Sequence, residues 1–266
     1  MRPSPTKPVG TITRGTTHPN RLRRVDRWIA AVLGPGLRRA PQPMIVDLGF
    51  GASPVTTIEL AQRLRVVAPG VHVVGLEIDP ARVAMARTAY PGGEFEQGGF
   101  ELGRFAGQVQ VVRAFNVLRQ YNEAQVPGAW QRMVAGCAIG GTLVEGTCDE
   151  LGRRACWVRL DRDVALDTPV SLTISLRLAD LSRPSDVAGR LPKALIHHNV
   201  PGTRIHGFLT ALDEAWWSAA PMADLGSRQR WLRTVATVQA GGYRVLDGPS
   251  RWRLGEITVA WADVAA

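Results

Sequence analysis

The segment Met44-Ile45-Val46-Asp47-Leu48-Gly49-Phe50-Gly51-Ala52-Ser53-Pro54 constrains the fold of this chain more than any other. Its first five residues read as a short buried strand. Gly49 and Gly51 permit positive φ in a tight turn. Val55–Val66 then carries helical spacing through Val55, Ile58, Leu60 and Leu64. A strand that turns on glycines into a helix is the opening unit of an α/β sheet, whose ligands bind in the crevice at the carboxyl ends of the strands.

The alternation continues. Val71–Leu76 predicts a second buried strand, and Pro80 opens a helix to about Ala89, with proline in its first turn. Strands follow over 94–97 and Val109–Val112. A helix from about Pro127 places Trp130, Met133, Val134 and Cys137 on one face and ends at Gly140-Gly141, before a strand over Thr142–Glu145. Such alternation implies right-handed crossovers and a mainly parallel sheet covered on both faces. Near residue 150 the pattern changes: Ala155–Leu160 and Val170–Leu178 read as neighbouring antiparallel strands. Helices near 208–219 and 228–239 and a closing strand over Glu256–Trp261 complete the chain. The expected organisation is an extended arm over 1–19, a ligand-binding core over 20–180 and a C-terminal elaboration over 181–266.

Two familiar phosphate sites fail at the glycine turn. A dinucleotide fingerprint needs a third glycine where Pro54 stands, and a phosphate-cradling loop needs a Gly-Lys-Ser/Thr that is absent. Asp47, just before the turn, repels phosphate but suits a cationic ligand, acting through water or the loop backbone. The next strand ends Val73-Val74-Gly75-Leu76-Glu77-Ile78-Asp79-Pro80. A carboxylate at that tip, Glu77, can accept both hydroxyl protons of a ribose, with Ile78 against an adenine face.

Asp47-Leu48-Gly49-Phe50-Gly51 and Gly75-Leu76-Glu77-Ile78-Asp79-Pro80 together resemble the first two motifs of the class I S-adenosylmethionine-dependent methyltransferases, over roughly residues 40–148. The resemblance implies a Rossmann-like α/β sheet, mainly parallel and seven-stranded, with an antiparallel hairpin at one edge. It implies S-adenosylmethionine as cofactor and methyl transfer as activity. Asp47, Gly49, Phe50, Gly51, Ser53, Glu77, Ile78, Phe100 and Asn116 become the candidate cofactor residues. Ser53 replaces the family's third glycine, and Gln97-Gly98-Gly99-Phe100 replaces its adenine-contacting acid, leaving Phe100 as a stacking partner. Asn116, at the end of the fourth strand, is the one candidate for the chemistry. It is followed by Val-Leu rather than Pro-Pro and an aromatic, which removes support for DNA-base amine methylation. The acceptor and any general base are not readable.

Charge is concentrated at the amino end. Residues 1–40 hold nine basic residues and one acid, Asp26, for a net +8; the other 226 carry 23 basic and 22 acidic groups, for +1. Asn20 is expected to cap a helix to about Leu33, stopped by Gly34-Pro35-Gly36, with Leu22, Val25, Ile29 and Val32 on one stripe. Arg21, Arg23, Arg24 and Arg27 flank that stripe as an anion-recruiting face for RNA or an acidic small molecule. The alternative function is therefore a nucleic-acid-binding protein with an inactive methyltransferase-like fold. A nucleotide-dependent oxidoreductase is opposed by Pro54 and Asp47. His197, His198 and His206 have poor metal spacing, so no metal is expected. Trp216, Trp217, Trp231 and Trp252 are expected in the core, as are Cys137, Cys148 and Cys156. No apolar run is long enough for a membrane span or a secretory leader, and the sparse cysteines match a reducing, cytoplasmic setting.

Overall fold

The computed structural model describes residues 8–13 and 17–265; Arg2, Lys7 and Arg14 of the basic arm lie outside these. The elements are α1 Arg23–Val32, α2 Gly34–Arg39, β1 Met44–Leu48, α3 Val55–Val67, β2 His72–Glu77, α4 Pro80–Ala89, β3 Glu94–Gln97, β4 Val109–Phe115, α5 Val126–Ala135, β5 Cys137–Cys148, β6 Arg154–Asp161, β7 Ser171–Leu176, α6 Lys193–Ile196, α7 Arg204–Ser218, α8 Ser227–Ala240, α9 Pro249–Trp252 and β8 Glu256–Ala260. One sheet runs in the order β3-β2-β1-β4-β5-β6-β7-β8. The first five strands in that order are parallel, and β5 through β8 form an antiparallel meander.

The sheet thus has eight strands rather than the seven expected, because β8 extends the antiparallel edge by pairing with β7. Side chains alternate across it. Val46 and Val112 face a core with α5, α7 and α8, where Trp216, Trp231 and Trp252 are buried as expected; Trp217 is exposed. Ile45, Val111 and Val144 face the opposite layer with α1 and α3. There Trp28 meets Trp157 edge-on at 5.8 Å, an arrangement that adds about 0.5–1.5 kcal/mol beyond the area buried. Cys137, Cys148 and Cys156 are free and buried.

Three local expectations fail. Asn20 does not cap α1; it takes a left-handed φ of 61° and its backbone N–H donates to Glu59, so the helix begins three residues later without a side-chain cap. Gly34-Pro35-Gly36 follows the end of α1 at Val32 as expected and also opens α2, but Val32 is exposed while Trp28 takes the buried position. Further on, α5 ends at Ala135, not at Gly140-Gly141. The glycine pair lies within β5, where a Cβ on Gly141 would sit 2.8 Å from the Val109 carbonyl oxygen of the neighbouring strand. Close backbone approach, not helix termination, is what that glycine provides.

Glu145 is fully buried in β5. Its Oε2 accepts a hydrogen bond from the Trp130 indole N–H (3.3 Å), while Oε1 has no partner among the described residues. Burial pushes this carboxyl up to about 8, only partly opposed by Trp130. A carboxyl raised in the fold favours the native state fully below its unfolded value of about 4.3, and that contribution is lost as the pH rises to the folded value, at about 1.4 kcal/mol per pH unit. Glu145→Gln cannot ionise, so between pH 5 and pH 8 its melting temperature should gain steadily on that of the parent. Parallel stability curves over this range would contradict a buried neutral acid.

Candidate functional site

The carboxyl ends of β1, β2 and β4 converge on the glycine turn. Gly49 and Gly51 have φ of 73° and 78°, values that β-branched residues avoid. A Cβ on Gly49 would lie 2.8 Å from a Val117 methyl, and one on Gly51 would lie 3.1 Å from the Thr17 hydroxyl. Glu77, buried at the tip of β2, accepts the Gly51 N–H on Oε2 and the Ile78 N–H on Oε1, both at 2.9 Å. The two motifs expected to act together are therefore joined by one hydrogen bond across 26 residues of sequence.

Asp47 has a structural role that its position did not announce. It lines the small cavity at the turn, and its carboxylate is also held from behind. Arg113 of β4, fully buried, donates from Nε to Oδ1 (2.9 Å) and pairs through Nη2 with Oδ2 (2.7 Å), and the Thr57 hydroxyl donates to Oδ2 (2.6 Å). Arg113 also pairs with the buried Asp26 of α1 and donates to the Thr56 carbonyl (3.0 Å). Arg63 of α3 reaches Asp26 at 2.6 Å. Arg63 also pairs with Glu59 (3.2 Å), so the buried pair of acids around Arg113 is tied to the protein surface through Arg63. Burial pushes Arg113 down, but Asp47 and Asp26 outweigh this and raise it overall, so it stays charged. Arg113 carried no sequence signal: a lone arginine in an apolar strand gains meaning only when its partners are known.

Asn116 follows β4 with φ of 59°. Its N–H donates to the Gly146 carbonyl (2.7 Å), and its side-chain oxygen accepts the Cys148 N–H (3.1 Å). It bonds across to β5, not to its own loop, and is fixed at the mouth. Beside it Arg21 donates to the Asp149 carbonyl (3.1 Å). Arg119 is pushed down by burial and by the neighbouring Arg190 and Arg21 charges. Burial likewise raises the Cys148 thiol, which disfavours its thiolate.

Residues 8–13 lie across this crevice. The Val9 carbonyl accepts the Phe100 N–H (2.9 Å) and its N–H donates to Glu101 (2.8 Å). The Thr11 N–H donates to the Tyr121 hydroxyl, Gln120 donates to the Thr11 and Ile12 carbonyls, and Arg82 holds the Thr13 carbonyl (3.0 Å). A Cβ on Gly10 would be 2.7 Å from Ile78 and 3.8 Å from Phe100. Ile78 and Phe100 thus lie on either side of Gly10, and the space between them is taken by the chain itself. The cavity left beside Asp47, Gly49, Gly51, Phe115 and Asn116 is about 50 Å³. Ser53 stays with the turn, its hydroxyl accepting the Val55 N–H (3.4 Å).

His198 pairs with Glu123 and His197 with Lys193; among the described residues no cluster of His, Cys, Asp or Glu can hold a metal ion. No helix there is long and apolar enough to cross a membrane.

The glycine turn after β1, the carboxylate closing it from β2 and the parallel sheet with an antiparallel edge decide the fold. It is a Rossmann-like α/β fold. No family model and no curated protein matches the chain. Among solved structures it is similar to a TehB-like SAM-dependent methyltransferase from Corynebacterium glutamicum, at 19% identity over 52% of this chain and 67% of that one, with a TM-score of 0.36. It is also similar to magnesium protoporphyrin IX methyltransferase from Synechocystis, a structure with bound S-adenosylhomocysteine, at 19% identity over 48% and 54% of the two chains, with a TM-score of 0.36.

Removing Arg113 leaves two buried carboxylates facing each other with only Arg63 near Asp26. Arg113→Met should destabilise the protein by about 3–5 kcal/mol in denaturant titration. The double variant Asp26→Asn, Asp47→Asn, which keeps the hydrogen bonds but strands the cation, should also destabilise. Combining all three changes should cost less than the sum of the two. Additive losses would show that the three residues do not act as a unit.

Proposed function

We propose that the protein transfers a methyl group from S-adenosylmethionine to an acceptor presented at Asn116. The observation that carries this is the hydrogen bond between Glu77 and the Gly51 N–H, which makes the turn and the acid one site at the carboxyl edge of the sheet. The residues fit the cofactor. A side chain at either glycine would fill the cradle, and while Glu77 Oε1 accepts the Ile78 and Asp79 N–H groups (2.9 and 3.4 Å), Oε2 accepts the Gly51 N–H and keeps a lone pair for a ribose hydroxyl.

When bound, the cofactor supplies an electrophilic methyl group on a sulfonium centre. The chain's own contribution is to bind, orient and exclude water. Glu77 orients the ribose against the turn, and Ile78 and Phe100 take the base. Asn116, locked by Cys148 and Gly146, positions the acceptor at the end of β4. The ionisable residues lining the small cavity are Arg21 and Asp47, and Asp47 is committed to Arg113. No side chain lining that cavity is therefore free to take a proton. The favoured acceptor is one already nucleophilic, or one that loses its proton to solvent.

The cavity is far below the ~300–1,000 Å³ of ordinary small-molecule sites. Residues 8–13 have to lift or re-seat for the cofactor to enter, and their hold on Phe100, Tyr121 and Arg82 lowers the observed affinity by the fraction of time the crevice is open. A chain lacking residues 1–13 should bind S-adenosylhomocysteine more tightly than the full chain in titration calorimetry. Glu77→Ala should weaken binding by about ten- to a hundredfold in either background, as the ribose loses its acceptor and the turn loses its anchor at Gly51. Gly51→Val should abolish it. If the shortened chain, still folded by circular dichroism, binds no S-adenosylhomocysteine, the methyl-transfer assignment is wrong.

A further inference from the structure

The arginines of α1 do not cover the small cavity as a group. Arg21 alone lines it. Arg23, Arg24 and Arg27 point the other way, into a cavity of about 450 Å³ that they share with Arg177, Arg228 and Arg253. These six come from α1, the end of β7, the start of α8 and the loop before β8, and no pair of sequence neighbours beyond Arg23-Arg24 predicts their meeting. The acid in this cavity, Glu256, is engaged by Arg251 through Nε–H (2.7 Å). Arg24 is tied down by the Ser175 hydroxyl (3.1 Å) and the Leu254 carbonyl (3.0 Å). Arg23, Arg27, Arg228 and Arg253 are exposed and have no acidic partner among the described residues.

Arg177 also lines a second cavity, of about 300 Å³, with Arg153, Arg154 and Arg190. Its acids are Asp149, Glu150 and Asp180; Asp180 pairs with Arg177 (3.1 Å) and Arg153 (3.7 Å), Arg154 pairs with Asp186 (3.8 Å), and the four arginines outnumber the three acids by one. Asp149 at its wall is the residue whose carbonyl Arg21 holds, and Arg21 opens onto Asn116. Two arginine-lined hollows, joined by Arg177, therefore run along the carboxyl end of β5, the start of β6, the end of β7 and the start of β8, and reach the mouth of the crevice. Three strand spacings make that path about 14 Å long.

We infer that this path is a track for the phosphodiester backbone of a single-stranded nucleic acid. Its length exceeds the reach of one phosphate or carboxylate group, so a small acid fills only part of it. Its concavity suits a strand better than a membrane plane. Guanidinium, the only cation along it, matches phosphate with paired donors, where lysine gives a point charge. The track stands without the methyl-transfer proposal; only the further step, that the strand ends at Asn116 as acceptor, rests on it.

The test uses the full chain without cofactor and fluorescein-labelled twelve-residue oligo(U) and oligo(dT), read by anisotropy from 50 to 200 mM KCl. Two charge-matched variants separate the track from overall charge: Arg228→Gln with Arg253→Gln, inside it, and Arg38→Gln with Arg39→Gln, exposed on α2 and outside it. The affinity of the parent should fall with salt at a slope of about −0.7 per phosphate neutralised. The track variant should flatten that slope by about 1.4 and bind several-fold more weakly at 50 mM, and the α2 variant should do neither. Equal binding of the two oligomers identifies the shared backbone, and preference for oligo(U) adds a 2′-hydroxyl contact; both support the track. It is overturned if the two variants weaken binding equally, if neither oligomer binds, or if tripolyphosphate or polyglutamate competes as well as the oligomer. S-adenosylhomocysteine calorimetry on the same track variant, expected unchanged, keeps a failure here separate from a failure of the methyl-transfer proposal.

Discussion

Arg113 is the interaction on which the arrangement of the crevice depends. A guanidinium at the centre of a parallel sheet is costly to bury, and it is tolerable here because Asp47 and Asp26 approach it from two sides and Thr56 supplies a carbonyl. Each partner belongs to a different element: β1, α1 and α3. The network fixes the strand before the glycine turn, the helix after it and the arginine-bearing helix outside it in one register. Gly49 and Gly51 can then hold positive φ because the residues on both sides of the turn are anchored. Glu77 completes the arrangement from β2 by taking the Gly51 N–H.

The elements that could be seen in the sequence are those with local causes. Pro80 after Asp79 starts α4 where expected, and Asp79 caps it by accepting the Ala81 N–H. The glycine turn and Glu77 stand out because their backbone and chemical demands are carried by residue type. What was not legible depends on long-range pairing. The pairing of Asp47 was invisible because its partner, Arg113, lies 66 residues away. Gly140-Gly141 looked like a helix stop because nothing local announces that β4 will pass within contact of Gly141. Asn20 has the composition of a cap, yet Glu59 and Arg63 claim it instead.

The cationic head has two separate structural duties that composition alone merged. The Val9–Thr13 stretch closes the crevice through backbone groups, with Arg82, Gln120 and Tyr121 as its clasp. The helix that follows docks Leu22, Val25, Trp28 and Ile29 on the sheet and turns its arginines outward, toward β7 and α8. One short region thus covers the place where a cofactor would sit and supplies part of the charge that would bring a strand to it.

The most direct measurement of the central claim is hydrogen–deuterium exchange of backbone amides with and without S-adenosylhomocysteine. A cofactor bound against the glycine turn, with the amino-terminal segment lifted, predicts opposite changes in two places. The Val9 and Thr11 amides, now held by Glu101 and Tyr121, should exchange faster, while amides around Gly51 and Asp79 should exchange more slowly. Exchange that is unchanged at both places in the presence of excess ligand would contradict the account.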